Sequence, residues 1–400
     1  VDSSRPAPPS ENRDPAASDG FDRWCRDALY SASVIEATAI LDRYCDHQLQ
    51  AVYRTLELGS LLREPSGAAE VAARLRLVDS AEITMHALLY RLARRTPFVE
   101  MVGQGLDARF VHRADPPDPG PELAALRERM AGLGSAYCVS LDFLDFGVEH
   151  FERSLRDDPD FMDRMLSGRE GTFAELWHAA TNLDPLQDLH GAMGAEAITR
   201  HGWGGVILEL GGGTGNGIRH LLQRLGTEDA LARVGHYVFT DISVRFLMKT
   251  RAEVKRSWPG VNCSWTFADL NQPLRGFRIP EHIDLVYAVN AAHVARDMPA
   301  FLRQCHEVLA PGGRVVFAER VRIDPYEMAP RELTLNLSVY HRGAALRSEA
   351  RPMHCYLSPG GWSTLLREAG FEPELLPDLD GMAEHFPQQY AAVVVGHKPA

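Results

Sequence analysis

The sequence predicts an α/β protein, with a doubly wound sheet in its C-terminal half and a mostly helical N-terminal half. Two observations support this prediction. Before residue 200, apolar residues recur three and four positions apart, and after it short apolar runs alternate with helical spans. We therefore expect a disordered leader at residues 1–20, a helical domain at 21–200 and a sheet domain at 201–400.

In the N-terminal half, helical spacing is clearest across residues 21–95. Two apolar runs around a glycine-containing turn predict a β-hairpin at residues 98–111. Helices followed by a hairpin suggest a winged helix. A proline-rich linker at residues 115–121 separates this region from a second helical block at 123–198.

After Gly205, apolar runs have the length and spacing of strands in a parallel sheet. The five runs are Val206–Leu210, His236–Thr240, Ser264–Ala268, Ile283–Val289 and Arg314–Ala318. Two candidate strands in the tail, Phe371–Leu376 and Tyr390–Gly396, complete a sheet of seven.

Composition excludes several classes of protein. A content of 45% hydrophobic and 24% charged residues is that of a globular protein, and the apolar runs are too short to cross a membrane. The formal net charge of −12 opposes binding to nucleic acid. The six cysteines form no CxxC pair, which argues against a structural metal or a disulfide framework. We expect a cytoplasmic protein without a metal.

The first predicted strand of the sheet runs into a glycine-rich loop. Such loops turn tightly and bring backbone amides close to a ligand. No register gives the GxGxxG of dinucleotide-binding proteins, and no GK[ST] follows. The pattern Glu209, Gly211, Gly213, Gly215 instead resembles the first motif of class I methyltransferases, although a merely flexible turn could contain the same glycines.

The next two strands each end in an aspartate. Asp241, followed by Ile242, is placed to accept hydrogen bonds from both hydroxyls of a ribose. Asp269, between Ala268 and Leu270, is placed to accept from the amino group of an adenine. A strand-end aspartate is usually a cap or turn residue. Two in succession after a glycine loop favour a nucleoside-binding edge.

Four segments together resemble the C-methyltransferase domains of polyketide synthases and related stand-alone enzymes. They are residues 207–215, 239–243, 290–293 and 309–313. The resemblance is clearest across residues 205–370 and weaker before them, where those domains carry a mostly helical lid. It implies a seven-stranded methyltransferase sheet, S-adenosyl-L-methionine as the cofactor, contacts to that cofactor from Asn290, and a role in natural-product or antibiotic biosynthesis.

The resemblance also implies a catalytic pair. His293 follows the fourth strand and Glu319 ends the fifth, and neighbouring parallel strands end at the same edge of a sheet. In the C-methyltransferase domains these positions hold a His-Glu dyad, in which the histidine removes an acidic proton and the glutamate orients its ring. Taken alone, His293 reads as a helix-start histidine and Glu319 as the partner of a nearby arginine.

The substrate-pocket candidates are three tyrosines. Tyr287 lies on the fourth strand, and Tyr326 and Tyr340 lie after the fifth, where substrate-facing residues are expected. Core packing is nevertheless the favoured interpretation for the two later tyrosines, as it is for Tyr356 and Trp362. The 400 residues contain no ketosynthase or carrier sequence, so we expect action in trans on a carrier-bound substrate, or action on a free one.

Two other functions are compatible with these residues. A winged-helix small-molecule O-methyltransferase would use the same histidine as a base, because imidazole serves enol carbons and phenols alike. A non-catalytic regulator would keep the fold, although the complete loop and both aspartates oppose loss of the cofactor site. The helical half is expected to form a lid over the site, a homodimer interface, or both.

Overall fold

The structure is a computed structural model that describes residues 15–166, 173–226, 231–343, 348–383, 386 and 391–400. In the N-terminal half the helices are α1 (Pro15–Trp24), α2 (Ala32–Thr55), α3 (Leu58–Leu61), α4 (Ala68–Arg74), α5 (Glu82–Arg95), α6 (Gly120–Leu133), α7 (Ser135–Glu149), α8 (Phe161–Leu166), α9 (Phe173–Asn182) and α10 (Pro185–Arg200). In the C-terminal half they are α11 (Asn216–Leu225), α12 (Val244–Ser257), α13 (Met298–Val308), α14 (Glu332–Leu335), α15 (Val339–Gly343), α16 (Pro359–Glu368) and α17 (Leu379–Ala383).

Seven strands form the sheet of the C-terminal half, in the order β6-β5-β4-β7-β8-β10-β9. They are β4 (Gly205–Glu209), β5 (Val234–Asp241), β6 (Cys263–Phe267), β7 (Ile283–Val289), β8 (Leu309–Arg320), β9 (Glu372–Leu376) and β10 (Ala391–His397). The strands from β6 to β8 are parallel, whereas β10 runs antiparallel to both of its neighbours. The predicted seven-stranded doubly wound sheet is confirmed.

The N-terminal half is helical, as predicted, and contains a small sheet of order β1-β3-β2. Strands β2 (Val99–Val102) and β3 (Arg109–His112) form the predicted hairpin, and β1 (Ser66–Gly67) joins β3. Of the predicted leader, residues 1–14 lie outside the described residues. Residues 15–20 belong to α1, in contrast to the predicted disorder, and Phe21 and Cys25, which follow them in the chain, are fully buried.

Helix α10 joins the two halves, and two glycines let it approach closely. A Cβ atom on Gly194 would lie 2.6 Å from the hydroxyl of Tyr287 on β7. A Cβ atom on Gly191 would lie 2.0 Å from Oδ1 of Asn216, at the start of α11. Glycine inside a helix costs about 1 kcal/mol relative to alanine. Here the cost is offset by direct contact between α10 and the layer that carries the glycine loop.

Apolar side chains form two cores. On one face of the sheet, buried residues of β4, β5 and β7 merge with those of the N-terminal helices into one cluster. On the other face, α13 and α16 pack around a second cluster that includes Phe317 and Trp362. None of the helices in the described part of the chain has the length and apolarity that a membrane span requires.

The close packing at Gly194 leads to a test of stability. We expect Gly194→Ala to lower the free energy of unfolding by about 1–3 kcal/mol, because the added methyl group would overlap the ring of Tyr287. Gly360→Ala on α16 is the matched control, since no atom lies within 4 Å of the position that its added methyl group would take and alanine favours a helix. Urea denaturation of both variants measures the difference. Equal stability would contradict the packing described for α10.

Candidate active site

A cavity of about 90 Å³, open to solvent, lies at the carboxyl edge of the sheet, where β4, β7 and β8 end. The sheet supplies one wall, and α9, α10 and the segment after β8 supply the others. The lining residues are Trp177, Thr181, Gln187, Gly211, Gly212, Gly213, Thr214, Asn216, Val289, Asn290, His293, Arg331, Leu335, His341 and Tyr356. Of the predicted site residues, Gly211, Gly213, Asn290 and His293 therefore line one cavity.

The glycine loop is held in a conformation that side chains disfavour. Gly211, Gly213 and Gly215 have φ angles of +60°, +55° and +86°, which lie in the left-handed region that glycine adopts without strain. A Cβ atom on Gly211 would also lie 2.7 Å from Cβ of Ala291. The backbone of the loop is thereby exposed to the cavity. Gly215, at the N-terminus of α11, does not line it.

Side chains of the helical half hold the glycine loop. The hydroxyl of Thr214 lies 2.7 Å from the hydroxyl of Thr181 and 2.7 Å from Nδ2 of Asn182, both on α9. Nδ2 of Asn216 donates to the carbonyl of Thr181 at 3.0 Å and to Asp188 on α10 at 2.9 Å. The loop and the helices that cover the cavity are therefore one hydrogen-bonded unit.

His293 and Glu319 are in contact. Nδ1 of His293 lies 2.6 Å from Oε2 of Glu319, and both side chains are buried. The other carboxylate oxygen accepts the backbone N–H groups of Ala291 at 3.0 Å and Ala292 at 2.9 Å. Because the carboxylate accepts the proton of Nδ1, Nε2 is left as the basic nitrogen on the cavity side. Such a nitrogen can accept a proton from a bound molecule.

Asn290 connects the ends of β7 and β8 beside this pair. Its backbone has a φ of +47°, its N–H donates to the carbonyl of Ala318 at 2.9 Å, and its Oδ1 accepts the N–H of Arg320 at 3.0 Å. Nδ2 is buried without a hydrogen-bond partner among the described residues. A buried donor without an acceptor is costly. The geometry therefore provides a donor for a polar ligand group in the cavity.

The two predicted aspartates lie further along the same edge and do not line the cavity. Asp241 accepts the N–H of Gly213 at 2.8 Å and that of Ser243 at 2.6 Å, and burial raises the pKa of its carboxyl to about 6. Asp269 accepts both the N–H and the side-chain amide of Asn271. Each carboxylate keeps lone pairs for further donors.

Apolar residues flank these two aspartates. Ile242 is 39% exposed, which is unusual for so large an apolar side chain at a strand end. Ala268 and Leu270, on either side of Asp269, are buried. The exposed Ile242 and the buried Ala268 and Leu270 are thus neighbours of the two aspartates in the chain, and none of the three lines the cavity.

Glu209, the first residue of the predicted cofactor motif, lies beneath the glycine loop and does not line the cavity. Its side chain is fully buried and accepts the hydroxyl of Tyr237 at 2.8 Å, and burial raises its pKa to about 8. A Cβ atom on Gly217 would lie 2.3 Å from Oε1. Glu209 therefore supports the loop from below.

None of the three tyrosines predicted for the pocket lines the cavity. Tyr287 is fully buried against α10, where its ring fills the space that Gly194 leaves. Tyr326 packs beside Tyr90 of α5, with ring centroids 6.0 Å apart. Tyr340 is 41% exposed. Tyr287 lies on β7 and the other two follow β8, but these positions in the chain did not determine the direction in which the side chains point.

Sequence reasoning missed two polar residues, Arg331 and His341, that line the cavity together with His293. Arg331 is buried, and its Nη1 lies 3.0 Å from Oδ2 of the fully buried Asp184. Nδ1 of His341 lies 3.0 Å from Sγ of Cys355, and burial holds the pKa of His341 well below its usual range. Arg331 and His341 follow β8, in the segment where substrate-facing residues were expected. The sequence analysis named only aromatic residues there.

Tyr356 was considered in the sequence and assigned to core packing. It does line the cavity, and its ring centroid lies 4.5 Å from that of His293. Trp177 and Thr181 on α9 carry no motif, so nothing in the sequence marked them.

No group of three His, Cys, Asp or Glu residues that could hold a metal ion is found within the described ranges.

Part of the chain is similar in sequence to known methyltransferase domains and polyketide synthases. Residues 208–315 match a family described as a methyltransferase domain. A highly reducing polyketide synthase of Pyrenophora dematioidea is 30% identical over 166 residues, which are 41% of this chain and 6% of the synthase. The chain therefore spans only a small part of the length of this relative.

Solved structures share the fold across nearly the whole chain. The CurJ carbon methyltransferase has a TM-score of 0.76 and 19% identity, over 96% of this chain and 99% of its own. The trans-methyltransferase CalH, in complex with S-adenosylhomocysteine, has a TM-score of 0.52 and 18% identity, over 91% of this chain and 90% of its own. The helical half thus belongs to the shared architecture.

The buried carboxyl of Glu209 leads to a prediction on pH and stability. Its pKa is about 8 in the folded state and near 4.5 when solvated, so the folded state holds a proton that the unfolded state releases between these values. The contribution of Glu209 to the free energy of unfolding therefore falls as the pH rises from about 4.5 to 8. We expect Glu209→Gln to raise the free energy of unfolding at pH 8 by on the order of 1–3 kcal/mol, and less at pH 5.

Urea denaturation at both pH values measures this gain, with Glu372→Gln, an exposed glutamate, as the control. A gain that is the same at pH 5 and pH 8 would contradict the raised pKa of Glu209.

Proposed function

We propose that this chain, an S-adenosylmethionine-dependent methyltransferase that resembles the C-methyltransferase domains of polyketide synthases, methylates the acidic carbon between two carbonyl groups of a polyketide-like substrate. The observation that carries the proposal is the buried contact between His293 and Glu319 at the cavity wall. The substrate is a polyketide-like chain, delivered on a carrier protein.

The residues at the carboxyl edge fit the cofactor. Gly211 would bring the backbone of the loop to its amino-acid portion, since a Cβ atom there would clash with Ala291, whereas the N–H of Gly213 is already held by Asp241. Asp241 would accept the ribose hydroxyls, and the exposed face of Ile242 would pack on the adenine. Nδ2 of Asn290 supplies the donor that the cavity holds without a partner. Bound S-adenosylmethionine supplies an electrophilic methyl group.

His293 has the arrangement of a general base. Its Nδ1–H is fixed by Glu319, so Nε2 can take a proton from the carbon between the two carbonyls. Glu319 then stabilises the imidazolium, and its two carboxylate oxygens accept hydrogen bonds from Ala291, Ala292 and His293. Loss of that proton makes the carbon nucleophilic, which transfer of a methyl group requires.

Arg331 supports the same reaction from elsewhere on the cavity wall. Proton loss leaves negative charge on the carbonyl oxygens of the substrate, and Arg331 is a buried cation among the lining residues. A preorganised donor in a site shielded from water stabilises such charge more than water does. Asp184, which holds Nη1 of Arg331, would keep the guanidinium in place.

The base assignment predicts the effects of two substitutions. We expect His293→Ala to lower methyl transfer to an acetoacetyl thioester by roughly 100- to 10,000-fold, while S-adenosylhomocysteine still binds. Glu319→Gln should lower transfer as well, because it loses the charge that orients the ring. His282→Ala, an exposed histidine, is the control.

Proton exchange separates the base from the transfer step. In D₂O without cofactor, the wild type should speed deuterium incorporation at the acidic carbon, and His293→Ala should not. Full exchange and turnover in His293→Ala would exclude His293 as the base. Analysis of the product by NMR distinguishes a new C–CH₃ from an O–CH₃ bond, and an O–CH₃ product would replace the proposed reaction with O-methylation.

The assignment of Asp241 predicts how cofactor affinity depends on pH. As the pH falls through about 6, Asp241 takes up a proton and loses acceptor capacity, so the affinity for S-adenosylhomocysteine should fall. Asp241→Asn should weaken binding at pH 8 by about 1–3 kcal/mol and remove this pH dependence. Calorimetric titration measures both effects, with the exposed Asp380→Asn as the control. Unchanged affinity in Asp241→Asn would rule out the ribose contact.

A further inference from the structure

Helix α12 differs from the rest of the chain in charge. It carries five basic residues and one acidic residue, in a protein whose formal net charge is −12. The basic residues are Arg245, Lys249, Arg251, Lys255 and Arg256. Lysine is rare in this chain, with three in 400 residues, and two of the three lie on α12. The helix is therefore a concentrated positive region on an acidic protein.

All five basic side chains of α12 are exposed. Within the ranges that the structure describes, none of them forms an ion pair. At 100° per residue, Arg245, Lys249 and Arg256 fall within about 40° of one another on the helix, opposite the buried Leu247 and Val254. Like charges this close repel one another, and an acidic partner would relieve the repulsion on this basic face, Arg245, Lys249 and Arg256.

Two exposed apolar residues flank the basic face. Val244 is 61% exposed and Met248 is 58% exposed, and they lie one helical turn apart. Scattered apolar residues on a surface need no explanation. An apolar pair beside three cations, however, combines the two features of a protein interface, an apolar centre and a polar rim, and methionine adapts to the shape of a partner.

Helix α12 lies between the glycine loop and α9, both of which border the cavity. The hydroxyl of Thr250 donates to the carbonyl of Gly213 in the cofactor loop at 3.3 Å. On the other side, Lys249 is close enough to His178 of α9 to lower the pKa of that imidazole, together with burial. Trp177, the residue before His178, lines the cavity. A protein seated on α12 would therefore lie beside the helix that covers the substrate.

We propose that the basic face of α12, with Val244 and Met248, is the docking surface for an acidic carrier protein that presents the substrate on a phosphopantetheine arm. The proposal rests on the carrier-bound substrate of the proposed function. An acidic carrier protein matches the charge of α12 and brings its phosphate close to the cavity. Nucleic acid fits poorly, since the chain as a whole carries a formal net charge of −12, which repels phosphates.

Lysine labelling tests the docking surface directly. Reductive methylation of the full chain, followed by mass spectrometry, reports on Lys249, Lys255 and Lys398 separately. We expect excess acetoacetyl-phosphopantetheinyl carrier protein to protect Lys249 and Lys255. Lys398, whose Nζ donates to the carbonyls of His306 and Leu309, should label equally with and without the carrier. Equal labelling of Lys249 and Lys255 with and without carrier would overturn the proposal, as would protection by an oligonucleotide in place of the carrier.

Kinetics with two substrates separate docking from chemistry. The triple variant Arg245→Glu, Lys249→Glu, Arg256→Glu should raise KM for the carrier-bound acetoacetyl group by about tenfold or more at low salt. It should leave turnover of acetoacetyl-S-N-acetylcysteamine unchanged, because these residues lie outside the cavity and the cofactor contacts. The control variant reverses the charge of three exposed arginines elsewhere, Arg278, Arg303 and Arg367, and so gives the same change in net charge. It should change neither KM nor turnover for either substrate.

The outcomes distinguish the two proposals. If the triple variant and the control variant have the same KM for the carrier-bound substrate, α12 is not the docking surface, even when the wild type methylates both substrates. If the wild type methylates neither substrate, the proposed function itself fails. If only the small thioester is methylated, delivery by a carrier is excluded, and with it the docking surface.

Discussion

The carboxylate of Glu319 is the group on which the geometry of the site depends. It has no solvent exposure, and an ionised carboxylate in that position requires donors to replace water. Three donors surround it: the N–H groups of Ala291 and Ala292 and the ring of His293. The loop after β7 is thereby folded around the end of β8. The orientation of His293 follows from the need to satisfy one buried charge.

A second constraint comes from the approach of the helical half to the sheet. Helix α10 packs on β7 and α11 through Gly191 and Gly194, and α9 binds the glycine loop through Thr181 and Asn182. The cavity exists only where these helices and the sheet meet. The cofactor loop and the substrate wall are therefore parts of one packed unit, although they come from different halves of the chain.

The sequence was sufficient for the sheet and for residues with a fixed backbone requirement. Strand positions follow from apolar runs, and Gly211 and Gly213 were identified because only glycine suits their conformations. Side-chain direction was harder to predict. Tyr287 points into the core because a glycine on α10 makes room for it, and no local pattern contains that information. Arg331 and Trp177 escaped notice because they meet His293 only through long-range packing.

The split origin of the cavity walls bears on how such proteins diverge. The loops after β4, β5 and β7 and the end of β8 supply the residues proposed to contact the cofactor, together with His293 and its partner Glu319. Most of the remaining cavity wall comes from α9 and from the residues between Arg331 and Tyr356. Changes in α9 and in that later segment can reshape the cavity, where we propose that the acceptor binds, without disturbing the loops at the carboxyl edge. Acceptor preference and reactive chemistry can thus evolve at different rates within one chain.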